Sequence, residues 1–121
     1  MLLILPATLA MYQPNMADIT RALSSGNADA LGQFFGSTVE IALTQSEDRY
    51  NKAEAVKVLK TFFAQNQPKG FTQVHKGVSK GGNLHYCIGE MQTNNSTFRV
   101  YLLLADGPSQ YQIQQLRIDK E

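Results

Sequence analysis

The chain carries almost no excess charge of either sign. Eleven Lys and Arg residues balance ten Asp and Glu residues, which gives a formal net charge of +1. Proteins that attract nucleic acid or anionic membranes by charge carry a broad excess of Lys and Arg. The balanced composition therefore predicts no nucleic-acid partner, and Lys69, Lys76 and Lys80 are expected to lie in solvent beside glycine turns.

Cysteine is nearly absent, and Cys87 is its one example. A lone cysteine excludes an intramolecular disulfide, and two histidines with one thiol fall short of the four closely spaced ligands of a structural zinc centre. The sequence also lacks a phosphate-cradling glycine loop, a Gly-x-Ser-x-Gly elbow and a His-Glu-x-x-His motif. We therefore predict no cofactor, no metal site and no catalytic residue.

Long apolar runs are missing as well. The stretch MLLILPATLA at residues 1–10 is too short to span a bilayer as a helix, so we predict no transmembrane segment. Its final Thr-Leu-Ala fits a small-residue cleavage pattern after Ala10, as in a secretory signal peptide, although no Lys or Arg precedes it. We expect residues 1–16 to be a signal-peptide remnant of a periplasmic or otherwise exported protein. The alternative is an apolar N-terminal arm of a cytoplasmic protein, and in both cases the domain comprises residues 17–121.

Two short helices are expected before the first strand. In NMADITRALSSGN the apolar residues fall on one helical stripe, and Gly26 ends that helix. A second helix is predicted to begin after the Asn27 cap and to stop at Gly36, with Phe34 and Phe35 on its buried side. The segment TVEIALTQ then alternates apolar and polar residues, which predicts a half-buried strand.

Residues 51–66 give the clearest helical pattern. Asn51 followed by Glu54 indicates a capping box, and Pro68 and Gly70 prevent continuation of the helix. One apolar stripe contains Ala55, Val56, Leu59, Phe62 and Phe63. A stripe with adjacent phenylalanines needs a broad apolar surface to cover it, and the strands that follow in sequence supply one.

Four alternating runs follow, at 71–79, 84–92, 97–105 and 110–119. Short turns rich in Gly, Asn and Pro separate them, which predicts an antiparallel meander. In the last run the apolar positions change phase from Tyr111 and Ile113 to Leu116 and Ile118, so we expect a β-bulge near Gln114–Gln115. The order ααβαββββ predicts an α+β fold in which a curved, mostly antiparallel sheet wraps around a long helix.

The segment FTQVHKGVSKGGNLHYCIG contains both histidines and the cysteine, and its Gly81–Gly82 pair predicts a hairpin turn. With a two- or four-residue turn, His75 and His85 lie on opposite faces of the sheet. A bulge or an odd-length loop would instead bring His75, His85 and Cys87 to one face, and the apolar residues favour this second register. Glu90 has the opposite strand parity to His85 and Cys87, so it would not complete a metal site.

Five segments, taken in order, carry a family resemblance: ADITRALSSGNADALGQFF, AEAVKVLKTFF, FTQVHKGVSKGGNLHYCIG, FRVYLLL and IQQLRIDKE. They resemble an uncharacterised Bacteroidetes family that is classed as a domain of unknown function within the nuclear transport factor 2-like superfamily of cystatin-like cones. The resemblance implies the cone-shaped α+β architecture, frequent homodimerisation across the sheet and an exported location. It implies no reaction, and no catalytic residue transfers.

The same fold suggests where a ligand could bind. Plausible walls of an apolar pocket for a small-molecule ligand are Phe35, Phe63, Tyr86 and Tyr111, and the alternative is that these residues are simply core. Cone-shaped isomerases and dehydratases of the superfamily place a carboxylate or histidine base and tyrosine donors in such a pocket, where desolvation makes the carboxylate basic. The corresponding candidates are a base at Glu40 or Glu90 and a donor at Tyr86 or Tyr111.

No converging polar set supports chemistry, so the sequence favours a non-catalytic role. We expect an exported small-ligand-binding or protein-interaction domain, and the alternative is an enzyme of the isomerase or dehydratase type. A sheet face that carries Arg99, Tyr101 and Leu103 has the mixed character of an interface, which fits a homodimer formed through the sheet.

Overall fold

The computed structural model describes residues 16–44 and 46–121. The elements are α1 Met16–Ser25, α2 Ala28–Gly32, β1 Phe35–Leu43, β2 Ser46–Asn51, α3 Lys52–Gln65, β3 Pro68–Val78, β4 Leu84–Thr93, β5 Thr97–Asp106 and β6 Tyr111–Lys120. The strands form one curved, unclosed sheet in the order β2-β1-β6-β5-β4-β3. Neighbouring strands are antiparallel except β1 and β6, which are parallel. The prediction of an α+β fold with a curved, mostly antiparallel sheet is confirmed.

Helix α3 packs against one face of the sheet, which we call the inner face, and the opposite face is the outer face. The helix begins with the predicted capping box, in which the Asn51 side chain accepts a hydrogen bond from the Glu54 backbone N–H at 2.8 Å. Leu59, Phe62 and Phe63 are buried in one cluster with the inner-face residues of β1, β4, β5 and β6. The apolar stripe predicted for residues 51–66 therefore covers the sheet as expected.

The chain between residues 32 and 51 differs from the prediction. Helix α2 ends at Gly32, and Phe35 is the first residue of β1 rather than part of the helix. Gly36 is therefore not a helix stop. Strand β2, with the polar sequence SEDRYN, was not predicted. It is an exposed edge strand, so its sequence lacks the alternation of apolar and polar residues that indicates a half-buried strand.

The hairpin of β3 and β4 adopts the register that separates the histidines. The turn Lys80–Asn83 joins Ser79 to Leu84, whose backbone groups are hydrogen-bonded at 2.7 Å. His75 then lies opposite Ile88, and Val78 lies opposite His85. The expectation that the apolar residues favour one shared face for both histidines and the cysteine is wrong, because a bulge at Val74 resets the phase of β3 before His75.

The β-bulge predicted in the last strand is confirmed. Leu104 of β5 pairs with Ile113, whereas Leu103 pairs with Gln115, so Gln114 is the extra residue. The bulge keeps Ile113 on the inner face together with Leu116 and Ile118.

The expected signal-peptide remnant or N-terminal arm lies outside the described residues, except for Met16, which is the first residue of α1. It stays a prediction. Among the residues that the structure describes, no helix has both the length and the apolar character needed to cross a membrane.

Candidate functional site

Side chains fill the space between α3 and the inner face of the sheet. The Phe62 ring meets the Phe98 ring edge-on, with centroids 5.2 Å apart. Phe35 and Phe63, two of the predicted pocket walls, are buried in the same cluster at 4% and 5% exposure. Within residues 16–44 and 46–121 no polar or charged side chain is buried. The interior is therefore a packed core around these two phenylalanines, and it holds no desolvated carboxylate of the kind that the enzyme alternative needs.

The candidate bases lie apart from the candidate donors. Glu40 is on the outer face of β1, where it accepts a hydrogen bond from the Gln115 amide at 3.1 Å. Glu90 is on the outer face of β4, opposite Arg99. The hydroxyl of Tyr86 contacts His75 Nε2 at 3.1 Å. Over the described residues, no hydrogen bond joins a carboxylate to a tyrosine hydroxyl.

A cleft of about 390 Å³ opens at one end of the sheet, where β3 ends and β4 and β6 begin. We call it the end cleft, and its lining residues are Met16, Lys76, Gly77, Val78, His85, Tyr86 and Tyr111. Of the four predicted wall residues, Tyr86 and Tyr111 border this cleft. Strand alternation places the Tyr86 side chain on the outer face beside Gly77, so Tyr111 is the wall residue on the inner side.

Two contacts fix the imidazole of His85 at the wall of the end cleft. His85 Nε2 lies 3.0 Å from a carboxylate oxygen of Asp106, and the His85 ring lies 5.0 Å from the Tyr111 ring. Because the carboxylate can only accept, the imidazole donates from Nε2 in this pair. The ring is therefore held in one orientation by an acid on one side and an aromatic neighbour on the other.

Lys76 and Cys87 face each other on the inner side of the hairpin. Burial raises the pKa of the Cys87 thiol, and the nearby positive charge of Lys76 partly opposes that rise. The thiol also donates a weak hydrogen bond to the Gln73 side chain at 3.7 Å. A protonated, buried thiol is a poor nucleophile.

The outer face of β4, β5 and β6 carries a second surface. Tyr101 lies between Ile88 of β4 and Arg117 of β6, and Leu103 lies beside it on the same strand face. These side chains are half-buried, and Ile88, Tyr101 and Arg117 border a cleft of about 400 Å³. We call this surface the outer patch, and its residues are Ile88, Arg99, Tyr101, Leu103, Gln115, Arg117 and Asp119.

Charges of both signs border the outer patch. Arg117 donates to Glu47 at 3.1 Å and lies 3.6 Å from Asp119. Arg99 pairs with Glu121 at 3.5 Å. Ala42, although it points outward, is only 1% exposed because Glu47 and Arg117 flank it on the neighbouring strands. The patch is thus apolar in its middle and rich in paired charges at its rim.

The histidines and the cysteine do not form a metal site in this arrangement. His75 lies on the outer face beside Tyr86, whereas His85 and Cys87 lie on the inner side. In the part of the chain that the structure describes, no group of three or more His, Cys, Asp or Glu side chains is placed to hold a metal ion.

Sequence reasoning did not predict five lining residues of the end cleft, which are Met16, Lys76, Gly77, Val78 and His85. The hairpin register would have found all of them except Met16, because it places Lys76 opposite Cys87, Gly77 opposite Tyr86 and Val78 opposite His85. No signal in the sequence indicated that Met16 at the start of α1 would meet the end of β3.

Comparison with solved structures gives close matches across the whole domain. A DUF4783 family protein from Bacteroides ovatus is 29% identical with a TM-score of 0.82, and the match covers 91% of this chain and 98% of that chain. One from Bacteroides uniformis is 25% identical with a TM-score of 0.81, covering 88% and 96%. An NTF-2 like protein of unknown function from Silicibacter pomeroyi is 12% identical with a TM-score of 0.65, covering 87% and 88%, and shows the fold alone.

The family model of DUF4783, a domain of unknown function, matches residues 16–119. None of the curated proteins matches the chain. The resemblance to a Bacteroidetes domain of unknown function with the nuclear transport factor 2-like fold is confirmed. Because the family model matches most of the sequence, the chain belongs to the DUF4783 family.

Proposed function

We propose that this protein is an exported, non-catalytic interaction domain that forms a homodimer through the outer patch. The observation that carries the proposal is the contrast between the two faces of the sheet. The inner face is closed by packed aromatic and aliphatic side chains, whereas the outer face exposes part of Ile88, Tyr101 and Leu103 at its centre. A tyrosine with apolar neighbours inside a charged rim is the composition typical of a protein interface.

The charges at the rim favour a second copy as the partner. A twofold interface brings the same patch of both subunits together, so it is stable only if the patch complements itself. Here Arg99 and Arg117 lie beside Asp119 and Glu121 on the same face. In a pair of copies, each arginine can exchange its neighbouring carboxylate for one of the other subunit without leaving an unpaired charge. A patch with only one sign of charge would repel its own copy.

Sedimentation velocity over a concentration series tests the homodimer. We expect the unmodified protein to sediment with twice the mass of one chain. In Tyr101→Lys, the added cation would lie between Ile88 and Arg117 at the centre of the interface, so we expect a monomer with an unchanged circular dichroism spectrum. Val74→Lys is the matched control, since Val74 is 59% exposed on the edge strand β3 and outside the patch.

Two results would contradict this proposal. One is a monomeric unmodified protein at the highest soluble concentration. The other is dissociation by Val74→Lys with no effect of Tyr101→Lys, which would move the contact to the edge strand.

The export of the protein is part of the same proposal. Its support is the apolar run at residues 1–10, which ends in Thr8-Leu9-Ala10, together with the exported location that the family resemblance implies. N-terminal sequencing of the mature protein from its native host should find a chain that starts after Ala10. A mature protein that retains Met1 would contradict export by this signal.

A further inference from the structure

We propose that the end cleft binds a small carboxylate with an aromatic or aliphatic body. The cleft has a volume of about 390 Å³, within the range of small-molecule sites. Its lining combines one lysine with a group of apolar and aromatic side chains. The proposal goes beyond the homodimer, because the end cleft and the outer patch share no residue.

Lys76 supplies the charge that a carboxylate needs. The residue lies on the inner side of β3, opposite Cys87, and lines the cleft. Unlike Arg21, Lys60, Arg99 and Arg117, it forms no ion pair within residues 16–44 and 46–121. No Asp or Glu is among the lining residues of the cleft, and Asp106, next to its wall, is already engaged by His85. The ammonium group of Lys76 is therefore available for a ligand anion.

An exposed valine marks the apolar part of the cleft. Val78 is 58% exposed, and among the described residues only Val74 is a large aliphatic side chain exposed to a similar degree. Val78 lies opposite His85 and lines the cleft with Met16 and Tyr111. A ligand that covers Val78 would remove apolar surface from water, and because this surface is already exposed, no contact within the protein has to break.

The aromatic wall is already ordered. Asp106 holds the His85 ring from one side, and Tyr111 lies against it at an interplanar angle of 55°. Since these side chains are fixed before a ligand arrives, binding loses little side-chain entropy at this wall. A flat aromatic body can lie against the tilted pair with its carboxylate toward Lys76.

Two other clefts, both lined by described residues, lack this combination. The cleft of about 300 Å³ between α1 and α2 contains Arg21, but Asp18 pairs with that cation at 3.1 Å. A cleft of about 420 Å³ on the outer face, where β1 and β6 separate, contains Arg49 opposite Glu40, and no aromatic residue is among its lining.

Isothermal titration with 2-naphthoate tests the site on the full chain. We expect binding, and we expect the uncharged 2-naphthamide to bind at least about tenfold more weakly because it lacks the ion pair with Lys76. Lys76→Gln should weaken 2-naphthoate binding by a similar factor and leave 2-naphthamide unchanged. Lys69→Gln is the matched control, since it removes one positive charge from the same strand outside the cleft.

A second pair of variants tests the apolar wall. Val78→Asp should abolish detectable binding of 2-naphthoate, whereas Val74→Asp should leave it unchanged, because only Val78 lines the cleft. Equal effects of Lys76→Gln and Lys69→Gln would overturn the proposal, as would equal affinity for the acid and the amide or no binding of 2-naphthoate at all. The variant Tyr101→Lys should bind normally, so failure of the homodimer and failure of the ligand site remain distinguishable.

Discussion

Gly89→Ala should destabilise the protein although it adds one methyl group. Gly89 lies on the inner side of β4, and the Phe71 ring of β3 lies over it. A Cβ at position 89 would contact the end of the Phe71 ring and would lie 2.6 Å from the backbone oxygen of Thr72. The ring can swing away, but it then loses its contact with the core. The Thr72 oxygen can move only with strand β3.

The expected magnitude follows from two opposing effects. Overpacking of this kind costs about 1–3 kcal/mol, and the lower chain entropy of unfolded alanine returns about 0.5 kcal/mol, so the net loss is about 1.5 kcal/mol. For a domain of this size that loss lowers the midpoint of thermal unfolding by roughly 6 °C. Gly70→Ala is the control, because a Cβ there would lie 3.4 Å from the Gln92 side chain, an ordinary contact.

A double-mutant cycle identifies the ring as the cause. Phe71→Leu shortens the side chain that covers Gly89, so Gly89→Ala should cost less in the leucine background. We expect a coupling energy of at least about 0.5 kcal/mol from urea unfolding of the four proteins. Two results would contradict this reasoning. One is that Gly89→Ala unfolds at the same temperature as Gly70→Ala. The other is that the effects of Gly89→Ala and Phe71→Leu are strictly additive, because close packing of Phe71 would then not be the reason that position 89 needs a glycine.

Two further stability predictions concern α3 and the buried thiol. Asn51→Ala removes the capping box and should cost about 1 kcal/mol in urea unfolding, whereas Asn51→Asp, which keeps the acceptor, should cost much less. Burial raises the pKa of Cys87 above its usual 9.0, so the folded chain keeps this proton to higher pH than the unfolded chain. Its contribution to stability is complete below about pH 9 and declines at higher pH, and the alkaline loss should be smaller in Cys87→Ala.

The sequence predicted those elements whose hydrophobic pattern faces the core. Helix α3 and strands β4, β5 and β6 follow from periodicity because one side of each is buried. Strand β2 does not, since it is an exposed edge strand held by its pairing with β1, for example Val39 with Tyr50. Edge strands of this kind carry no apolar alternation to detect.

Glycines explain the misplaced end of α2. Gly36 was interpreted as a helix stop, but it is a residue of β1 on which the Gln112 side chain packs, so a Cβ there would lie 2.7 Å from the amide nitrogen. Gly32 likewise gives room to Val56 of α3. Both glycines permit close approach by a distant segment, and a single sequence does not distinguish that role from helix termination. Gly26, with φ of 67°, is the one whose conformation ends a helix as predicted.

The candidate sites were harder to predict because the strand register, and not the type of each residue, determines which side chains come together. One bulged residue, Val74, determines that His75 points outward to Tyr86 while Lys76 and Val78 point inward to the end cleft. Without that bulged residue, residues 68–73 of β3 would be shifted by one position relative to residues 75–78, which lie next to the hairpin turn. The residue types around the cleft were all visible in the sequence, but the face of each was not.

The same alternation separates the two proposed surfaces of β4. Tyr86 and Ile88 lie on the outer face, toward the proposed dimer contact, and His85 and Cys87 alternate with them on the inner face. Pairing two outer patches would therefore leave Lys76, Val78 and His85, on the inner side of the end cleft, facing away from the interface. Coupling between two sites requires an element whose arrangement both of them change. Here the β4 backbone is fixed by ladders to β3 and β5 on its two sides, so ligand binding and dimerisation are expected to be independent properties of one rigid sheet.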